Sequence, residues 1–277
     1  MREIIESIIL AIVEGLTEFL PVSSTGHMII VQDLLDIPKN SFNNMYMIVV
    51  QLAAILAVLI LYWPRIWKVI KGIFTGKRKA WHFLGVWIVA CIPAAALGVL
   101  IDDVIDEYLF STPTVTIALI IGAIMMLSGE KRVALYNTDD EVLNINYKQA
   151  IIIGIAQCMA LFPGFSRSAS TIIGGWAAGL TTAAAADFSF FLAIPIMFGA
   201  SIYSLLKFSQ DQAAVAGLVQ TDYIALIIGC IVAFVVAWFV VKKFLNYLKT
   251  KPLKNFAYYR IILAIILIVL MSLNVIK

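Results

Sequence analysis

Six apolar segments of membrane-spanning length constrain this chain more than any other feature of its sequence. A helix needs about 20 mostly apolar residues to cross the hydrocarbon core of a bilayer. Only 13% of the 277 residues are charged, whereas soluble domains average about 25%. The sequence therefore predicts an all-α, multi-pass integral membrane protein. The expected spans are residues 45–63, 84–101, 113–130, 186–206, 223–241 and 258–276.

Two further apolar regions, residues 4–33 and 148–180, do not have the pattern of a single span. Each is interrupted by proline and small polar residues, LPVSSTG at 20–26 and FPGFSRS at 162–168. The pieces on either side are roughly 12–16 residues long, too short to cross alone. Broken helices at membrane depth are tolerated where they are buried in protein, so we predict two re-entrant helical hairpins.

The two broken regions occupy the same place in the two halves of the chain. The residue numbers of Pro21 and Pro163 differ by 142, and the same offset relates Ser24 to Ser166. Each region is followed by three spans, which predicts one membrane domain over 1–277 built from two repeats. The repeats cover about 1–132 and about 145–277. Because three is an odd number, the second repeat would be inverted relative to the first, as in many transporters.

Positive charges are concentrated in two loops, residues 65–79 and 242–254. By the positive-inside rule both loops are cytoplasmic, and the acidic segment 101–108 then lies outside. This threading places both termini outside, with the first hairpin open to the outside and the second to the cytoplasm. Because topology explains the basic clusters, no nucleic-acid partner is expected.

The stretch VEGLTEFLPVSSTGH (13–27) places two glutamates within the first broken region. Glu14 and Glu18 are four positions apart and therefore share one helix face. Acidic residues at membrane depth are costly and usually face a water-filled cavity or an ion pathway. The pair is suited to bind Mg²⁺ or Ca²⁺ together with phosphate oxygens of a substrate. A proton relay and solvation at the interface are the alternatives.

Hydroxyl and imidazole groups follow at the tip of the same region. Ser23, Ser24 and Thr25 predict the start of a short helix, whose free N–H groups attract an anion. Ser24 and His27 are three positions apart and share a face if this helix forms. A hydroxyl beside an imidazole is the minimum arrangement of an activated nucleophile, although the pair alone is a weak signal.

The tip of the second region, PGFSRSAST (163–171), contributes a positive charge, Arg167. An unpaired arginine at membrane depth would be costly. Arg167 either forms a structural ion pair with one of the two glutamates or clamps a phosphate, for which a guanidinium fork is suited. Ser166 and Ser168 surround it with hydroxyl groups at another helix start.

Two tips that meet would form a site for a phosphorylated, metal-bound ligand inside the membrane. The inverted repeat favours a secondary transporter or lipid flippase. The Ser24–His27 pair favours an enzyme, since a transporter needs no nucleophile beside a base. A non-catalytic scaffold would not explain charges at apolar depth. Spacing alone leaves enzyme and transporter open.

EGLTEFLPVSSTGH (14–27) and PGFSRSAST (163–171) resemble the two signature motifs of the bacterial undecaprenyl-pyrophosphate phosphatase family. These integral-membrane enzymes are linked to bacitracin resistance. Chain length and repeat layout match as well, so the resemblance covers essentially the whole chain. It implies hydrolysis of the terminal phosphate of undecaprenyl pyrophosphate, giving undecaprenyl phosphate, the lipid carrier of cell-wall peptidoglycan synthesis.

The resemblance also implies a location and a cofactor. The protein would lie in the bacterial cytoplasmic (inner) membrane, need Mg²⁺ or Ca²⁺ and have a site that faces outside. Partners are then the polyprenyl pyrophosphate substrate and membrane lipid, with a homodimer left open. Implied catalytic residues are Glu14, Glu18, Ser24, His27 and Arg167, with Glu14 and Glu18 as metal ligands.

Substrate contacts are expected from hydroxyl groups at both tips and from the guanidinium. Ser24 would attack the terminal phosphorus with His27 as base. His27 as nucleophile, and a water activated by His27, remain the alternatives. The residues expected to bind the substrate are Ser23, Thr25, Ser166, Arg167 and Ser168.

Overall fold

The computed structural model describes residues 2–130, 142–248 and 251–276, without the side chains of residues 2, 102–104 and 106. Across these ranges the backbone is helical, with short turns and no strand. The α-helices in chain order are α1 (Arg2–Thr17), α2 (Ser24–Leu34), α3 (Ser41–Leu61), α4 (Trp63–Phe74), α5 (Arg78–Val104), α6 (Thr112–Glu130), α7 (Tyr147–Gln157), α8 (Arg167–Ala177), α9 (Thr182–Gln210), α10 (Gln212–Ala216), α11 (Gln220–Leu248) and α12 (Lys254–Ser272).

Six of these helices are long and apolar enough to cross a membrane: α3, α5, α6, α9, α11 and α12. They coincide with the six predicted spans, so the prediction of a multi-pass helical membrane protein is confirmed. Each is formed by a continuous run of apolar residues. Such a helix is stable in lipid because its backbone hydrogen bonds are made within the helix itself.

The basic stretch expected as a loop after the first span is largely helical. α4 covers residues 63–74 and buries Ile66 and Val69, while Trp67 and Lys68 on its other faces are exposed. Such an amphipathic helix with exposed aromatic and basic residues is typical of a membrane–water interface. The sequence analysis predicted a loop here because it used the basic residues of this stretch and not the spacing of its apolar ones.

In both broken regions two helices are separated by an interruption at the polar segment. α1 ends at Thr17 and α2 begins at Ser24, whereas α7 is followed by a 3-10 turn (Cys158–Leu161) before α8 begins at Arg167. The two arms of each region are in contact with one another. The tips therefore interrupt the helices at the polar segments.

The two tips end in the same type of cap. Ser23 and Ser166 both have positive φ, 73° and 75°, and their hydroxyls accept from the amides of Gly26 and Ala169. Their numbers differ by 143, so the predicted offset of 142 is wrong by one at this point. Ser24 and Arg167 are thus each the first residue after a cap, because the second tip has one more residue between proline and cap.

Helix packing links the two halves of the chain. α1 packs against α11 and α7 packs against α5, so the first arm of each broken region contacts the second span of the other half. α3 lies against both α9 and α11, and α6 pairs with α12. This arrangement brings both tips to the interface between the halves.

Candidate active site

The two tips touch through direct hydrogen bonds. The amide of Gly164 donates to Ser23 Oγ at 3.1 Å, and Ser168 Oγ donates to the carbonyl of Leu20 at 3.0 Å. Ser23 and Ser168 are almost completely buried. Buried polar groups of this kind need partners, and each tip provides them for the other.

Close contact at the tips depends on Gly164. Its φ of +99° lies in the region that favours glycine, and a Cβ there would come 2.6 Å from the carbonyl oxygen of Val115. The second tip is thereby held directly against α6. The sequence motif PG at this position is explained by backbone conformation and not by chemistry of the ligand.

Glu18 lies at the centre of the site and connects residues of both tips. One carboxylate oxygen, Oε2, accepts a short hydrogen bond from Ser24 Oγ. The other, Oε1, accepts from Arg167 Nη2 at 3.0 Å. The two side chains of this ion pair are only 12% and 8% exposed, for Arg167 and Glu18 respectively. The ion pair that was one of the two alternatives for Arg167 is therefore present, and the glutamate is Glu18.

Arg167 is anchored on a second side and retains a free donor. Its Nη1 donates to the carbonyl oxygen of Ser189 at 3.0 Å and lies 3.3 Å from Ser189 Oγ. Its Nε is buried and has no hydrogen-bond partner in the described part of the chain. A buried guanidinium with one free N–H is prepared to bind an additional oxygen acceptor.

Glu14 is fully buried, with 0% exposure, and neither of its carboxylate oxygens has a hydrogen-bond partner among the described residues. Orphaned buried carboxylate oxygens require either a proton or a cation. No group of three or more histidine, cysteine or acidic side chains suited to a metal occurs in the described ranges. Two glutamates fit a cation whose remaining ligands are water and substrate oxygens, which is usual for Mg²⁺.

His27 contacts other groups than the hydroxyl of Ser24. Its Nδ1 is 2.6 Å from the carbonyl oxygen of Ser23, and its Nε2 is 2.7 Å from the Tyr259 hydroxyl. The rings of His27 and Tyr259 are stacked with centroids 5.7 Å apart. A carbonyl can only accept, so Nδ1 carries a proton, and in the neutral ring Nε2 is the free base. Across the described residues, Ser24 is hydrogen-bonded to Glu18 and not to His27.

The remaining hydroxyls of the predicted site have mainly structural partners. Ser166 caps α8 and lies 3.0 Å from Ser168, and Ser23 caps α2. Thr25 accepts from Gln51 of α3 at 3.4 Å, a hydrogen bond between two helices. Direct substrate binding by these hydroxyls stays a prediction.

Three residues near the tips were missed by the sequence interpretation: Ser189, Tyr259 and Arg260. Arg260 is fully buried in α12 and donates to carbonyls of both tips. An arginine inside an apolar segment is a signal that could have found it. Ser189 and Tyr259 have no comparable signal, because neither residue type is rare near membrane interfaces.

A carboxylate, a hydroxyl and a guanidinium thus meet at the junction of two broken helices in a multi-pass membrane protein. This combination defines a class of membrane protein whose site is suited to bind an anionic ligand such as a phosphate. The chain belongs to the family described as bacitracin resistance protein BacA, whose model matches residues 7–266.

Similar proteins carry a common name. A Clostridium tetani protein named undecaprenyl-diphosphatase is 46% identical over 272 residues, which cover 98% of this chain and 97% of that protein. Proteins of the same name from Ruminiclostridium cellulolyticum and Thermoanaerobacter pseudethanolicus are also 46% identical. The alignment with the latter covers 100% of both chains.

Proposed function

We propose that this protein is an undecaprenyl-diphosphatase that hydrolyses undecaprenyl diphosphate to undecaprenyl phosphate and inorganic phosphate. The observation that carries the proposal is the Ser24–Glu18–Arg167 chain at the contact of the two tips. It joins a hydroxyl, a base and a phosphate-binding cation within a family whose similar members bear that name. A transporter would need the charges but has no use for a hydroxyl bonded to a base.

The proposed reaction proceeds in two steps at Ser24. Ser24 Oγ attacks the terminal phosphorus while Glu18 accepts its proton, so an O–P bond forms and the bond from phosphorus to the bridging oxygen breaks. Undecaprenyl phosphate leaves with that oxygen and its electron pair. A water oxygen then attacks the phosphorus of the phosphoserine, the Oγ–P bond breaks, and Glu18 returns its proton to Ser24 Oγ. Inorganic phosphate leaves with the oxygen and protons of the water. Hydrogen bonding of Ser24 to Glu18 supports this base, and His27 Nε2 is the alternative base.

Arg167 stabilises charge during both steps. Its Nη2 holds Glu18 in place, and its unpartnered Nε is available to a non-bridging phosphate oxygen. Catalysis of phosphoryl transfer depends mainly on positioning and on neutralising such oxygens. The low exposure of the pair makes each of these interactions stronger than in water.

A divalent cation, Mg²⁺ or Ca²⁺, is the proposed cofactor, with Glu14 and Glu18 as its protein ligands. When bound, it would supply charge neutralisation to the diphosphate. The orphaned carboxylate oxygens of Glu14 support the assignment. Glu18 then has a double role, because its two oxygens also contact Ser24 and Arg167.

The test of the proposed function is phosphate release from undecaprenyl diphosphate by the purified protein in detergent. We expect release with Mg²⁺ or Ca²⁺ and a loss of at least about 100-fold with EDTA, because the diphosphate charge is then unneutralised. Glu14→Gln should raise the Mg²⁺ concentration for half-maximal activity at least about tenfold.

Glu107→Gln is the matched control, since Glu107 is exposed outside the site. Full activity of the wild type in EDTA would contradict the metal proposal. No release from folded wild type with either ion would contradict the phosphatase, and transport in liposomes would then be tested instead.

We further infer that the chain is an inverted repeat of one re-entrant hairpin plus three spans, as the sequence predicts. The exchanged packing of α1 on α11 and α7 on α5 supports it, because equivalent arms take equivalent partners in opposite halves. Two side-chain contacts join helix ends that this topology places on the same side of the membrane. Ser41 meets Asp211 at one end, while Arg65 meets Asp187 at the other.

The proposed site faces the outside of a bacterial inner membrane. Lys39 and Lys77 then lie on opposite sides, outside and cytoplasmic respectively, and both are exposed. In a variant without Cys91, Cys158 and Cys230, an impermeant maleimide added to spheroplasts should label Lys39→Cys but not Lys77→Cys. Lysis should allow both to react. Labelling of only Lys77→Cys in intact spheroplasts would reverse the orientation.

A further inference from the structure

Arg260 is a fully buried cation outside the set of residues proposed for the reaction. It lies in α12 with 0% exposure. No carboxylate pairs with it in the described part of the chain. Instead, its five N–H groups match five backbone carbonyls. These belong to Pro21 (3.4 Å), Ala118 (3.0 Å), Leu119 (3.2 Å), Gly164 (3.0 Å) and Phe165 (3.0 Å).

The five carbonyls come from three separate parts of the chain. Pro21 belongs to the first tip, Gly164 and Phe165 belong to the second, and the other two belong to the middle of α6. All three tip residues are buried, so their carbonyls would be costly to leave unpaired. One planar guanidinium group therefore connects both tips to a membrane-spanning helix.

The chain makes room for this guanidinium at Gly122 of α6. A Cβ at residue 122 would overlap Nη2 and the central carbon of Arg260. The neighbouring Tyr259 of α12 contacts His27 in the first turn of α2, directly after the first tip. Two consecutive residues of α12 therefore contact the region of the tips, and Gly122 on the paired helix leaves room for the guanidinium.

We propose that Arg260 is a positioning residue that fixes the two tips in register, so that Ser24 of one and Arg167 of the other share Glu18. The inference rests on the proposed phosphatase function. Pro21 is three residues from Ser24 and Phe165 is two residues from Arg167, so a shift of either tip moves a reacting group. Arg260 itself forms no hydrogen bond to any of these three side chains, since its N–H groups donate to backbone carbonyls.

The test separates positioning from charge. Arg260→Lys keeps the positive charge but loses the planar fork, and Arg260→Met loses both. Gly122→Ala keeps the arginine but displaces its guanidinium. We expect each to lower kcat at least about 100-fold while KM for undecaprenyl diphosphate stays within about threefold, because small misplacements of reacting groups cost rate rather than binding.

Hydrogen exchange gives a readout that does not depend on activity. Amides of Gly26, Gly164 and Ala169 are held by the two capping serines. Peptides that contain them should exchange faster in the three variants, while peptides from α3 and α11 should not change. Gly199→Ala is the matched control, since a Cβ on that glycine of α9 meets open space, and it should behave as wild type.

Wild-type kcat in Arg260→Lys would overturn positioning by hydrogen bonds, because charge alone would then suffice. Unchanged kcat and tip exchange in folded Gly122→Ala would also overturn it, even if Arg260→Met does not fold. A rise in KM alone would place Arg260 in substrate binding and reject the proposal. If the wild type releases no phosphate, the proposed phosphatase function is rejected. Faster exchange confined to the tips in the variants would still support positioning of the tips by Arg260.

Discussion

Ser24→Ala will lower kcat for phosphate release by at least about 10³-fold, because it removes the nucleophile and the hydrogen bond to Glu18. Glu18→Gln should cost a similar factor, since an amide cannot accept the proton and a positioned base contributes about 10²–10⁴-fold. Steady-state phosphate release from undecaprenyl diphosphate measures both. Trapping of a phosphoserine by rapid acid quench and mass spectrometry would identify the oxygen that reacts.

Ser128→Ala is the matched control for the hydroxyl. Ser128 lies in the membrane-spanning α6, is exposed on the helix surface and donates to the carbonyl of Ile124 one turn back. Its loss should leave kcat within about threefold of wild type, as expected for a surface substitution. If Ser24→Ala keeps more than about a tenth of the wild-type kcat, a water or His27 is the nucleophile, and His27→Ala should then show the larger loss.

The spans and the positions of the tips were predictable because each depends on a local property of the sequence. An apolar run of spanning length has one stable outcome in lipid, and the prolines at 21 and 163, together with their small polar neighbours, indicate where each helical region is interrupted. The structure also brings together Glu18, Ser24 and Arg167, three of the residues that the motifs single out.

The partner of Ser24 could not be predicted, because it depends on backbone conformation at the tip. Spacing places Ser24 and His27 on one helix face. Ser23, with φ of 73°, sits as the cap immediately before the helix, and Ser24 reaches back to Glu18 across the break. No regular periodicity describes a turn of this kind. The one-residue difference between the two tips was hidden for the same reason.

The role of Arg260 was missed for another physical reason. Its charge in an apolar span was visible in the sequence. Its five oxygen partners, however, are backbone carbonyls of α6 and of the two tips. Every residue type has a backbone carbonyl, so no sequence motif can indicate such a site. Buried arginines whose partners are not acidic side chains therefore require three-dimensional information.

Arg167→Lys will lower kcat/KM by at least about 10³-fold although the charge is retained. The guanidinium contacts Glu18 through Nη2 and Ser189 through Nη1, and it leaves Nε for phosphate. The three N–H donors of a lysine share one nitrogen and cannot reach the separate positions of Nε, Nη1 and Nη2. Removing one donor to developing charge costs about 10²–10³-fold, and the substitution also releases Glu18.

The same residue decides between the phosphate clamp and a purely structural ion pair. Arg167→Gln and Glu18→Gln should each lower the melting temperature, since each leaves a buried charge unpaired, whereas the double variant should recover much of it. Activity should stay lost in the double variant, and the inhibition constant for orthovanadate should rise about 100-fold in Arg167→Gln. Recovery of activity together with stability would show that Arg167 only balances the charge of Glu18.

Arg65→Lys provides the matched control for this experiment. Arg65 forms an ion pair with Asp187 at 2.7 Å in a more exposed place, with its side chain 47% exposed. Exposed pairs contribute little to stability, so kcat/KM should stay within about threefold of wild type. A loss there as large as in Arg167→Lys would mean that arginine replacement damages the fold. The contrast between two arginine–carboxylate pairs, one at the tips and one at the helix ends, thus isolates the contribution of the tip site to phosphate chemistry.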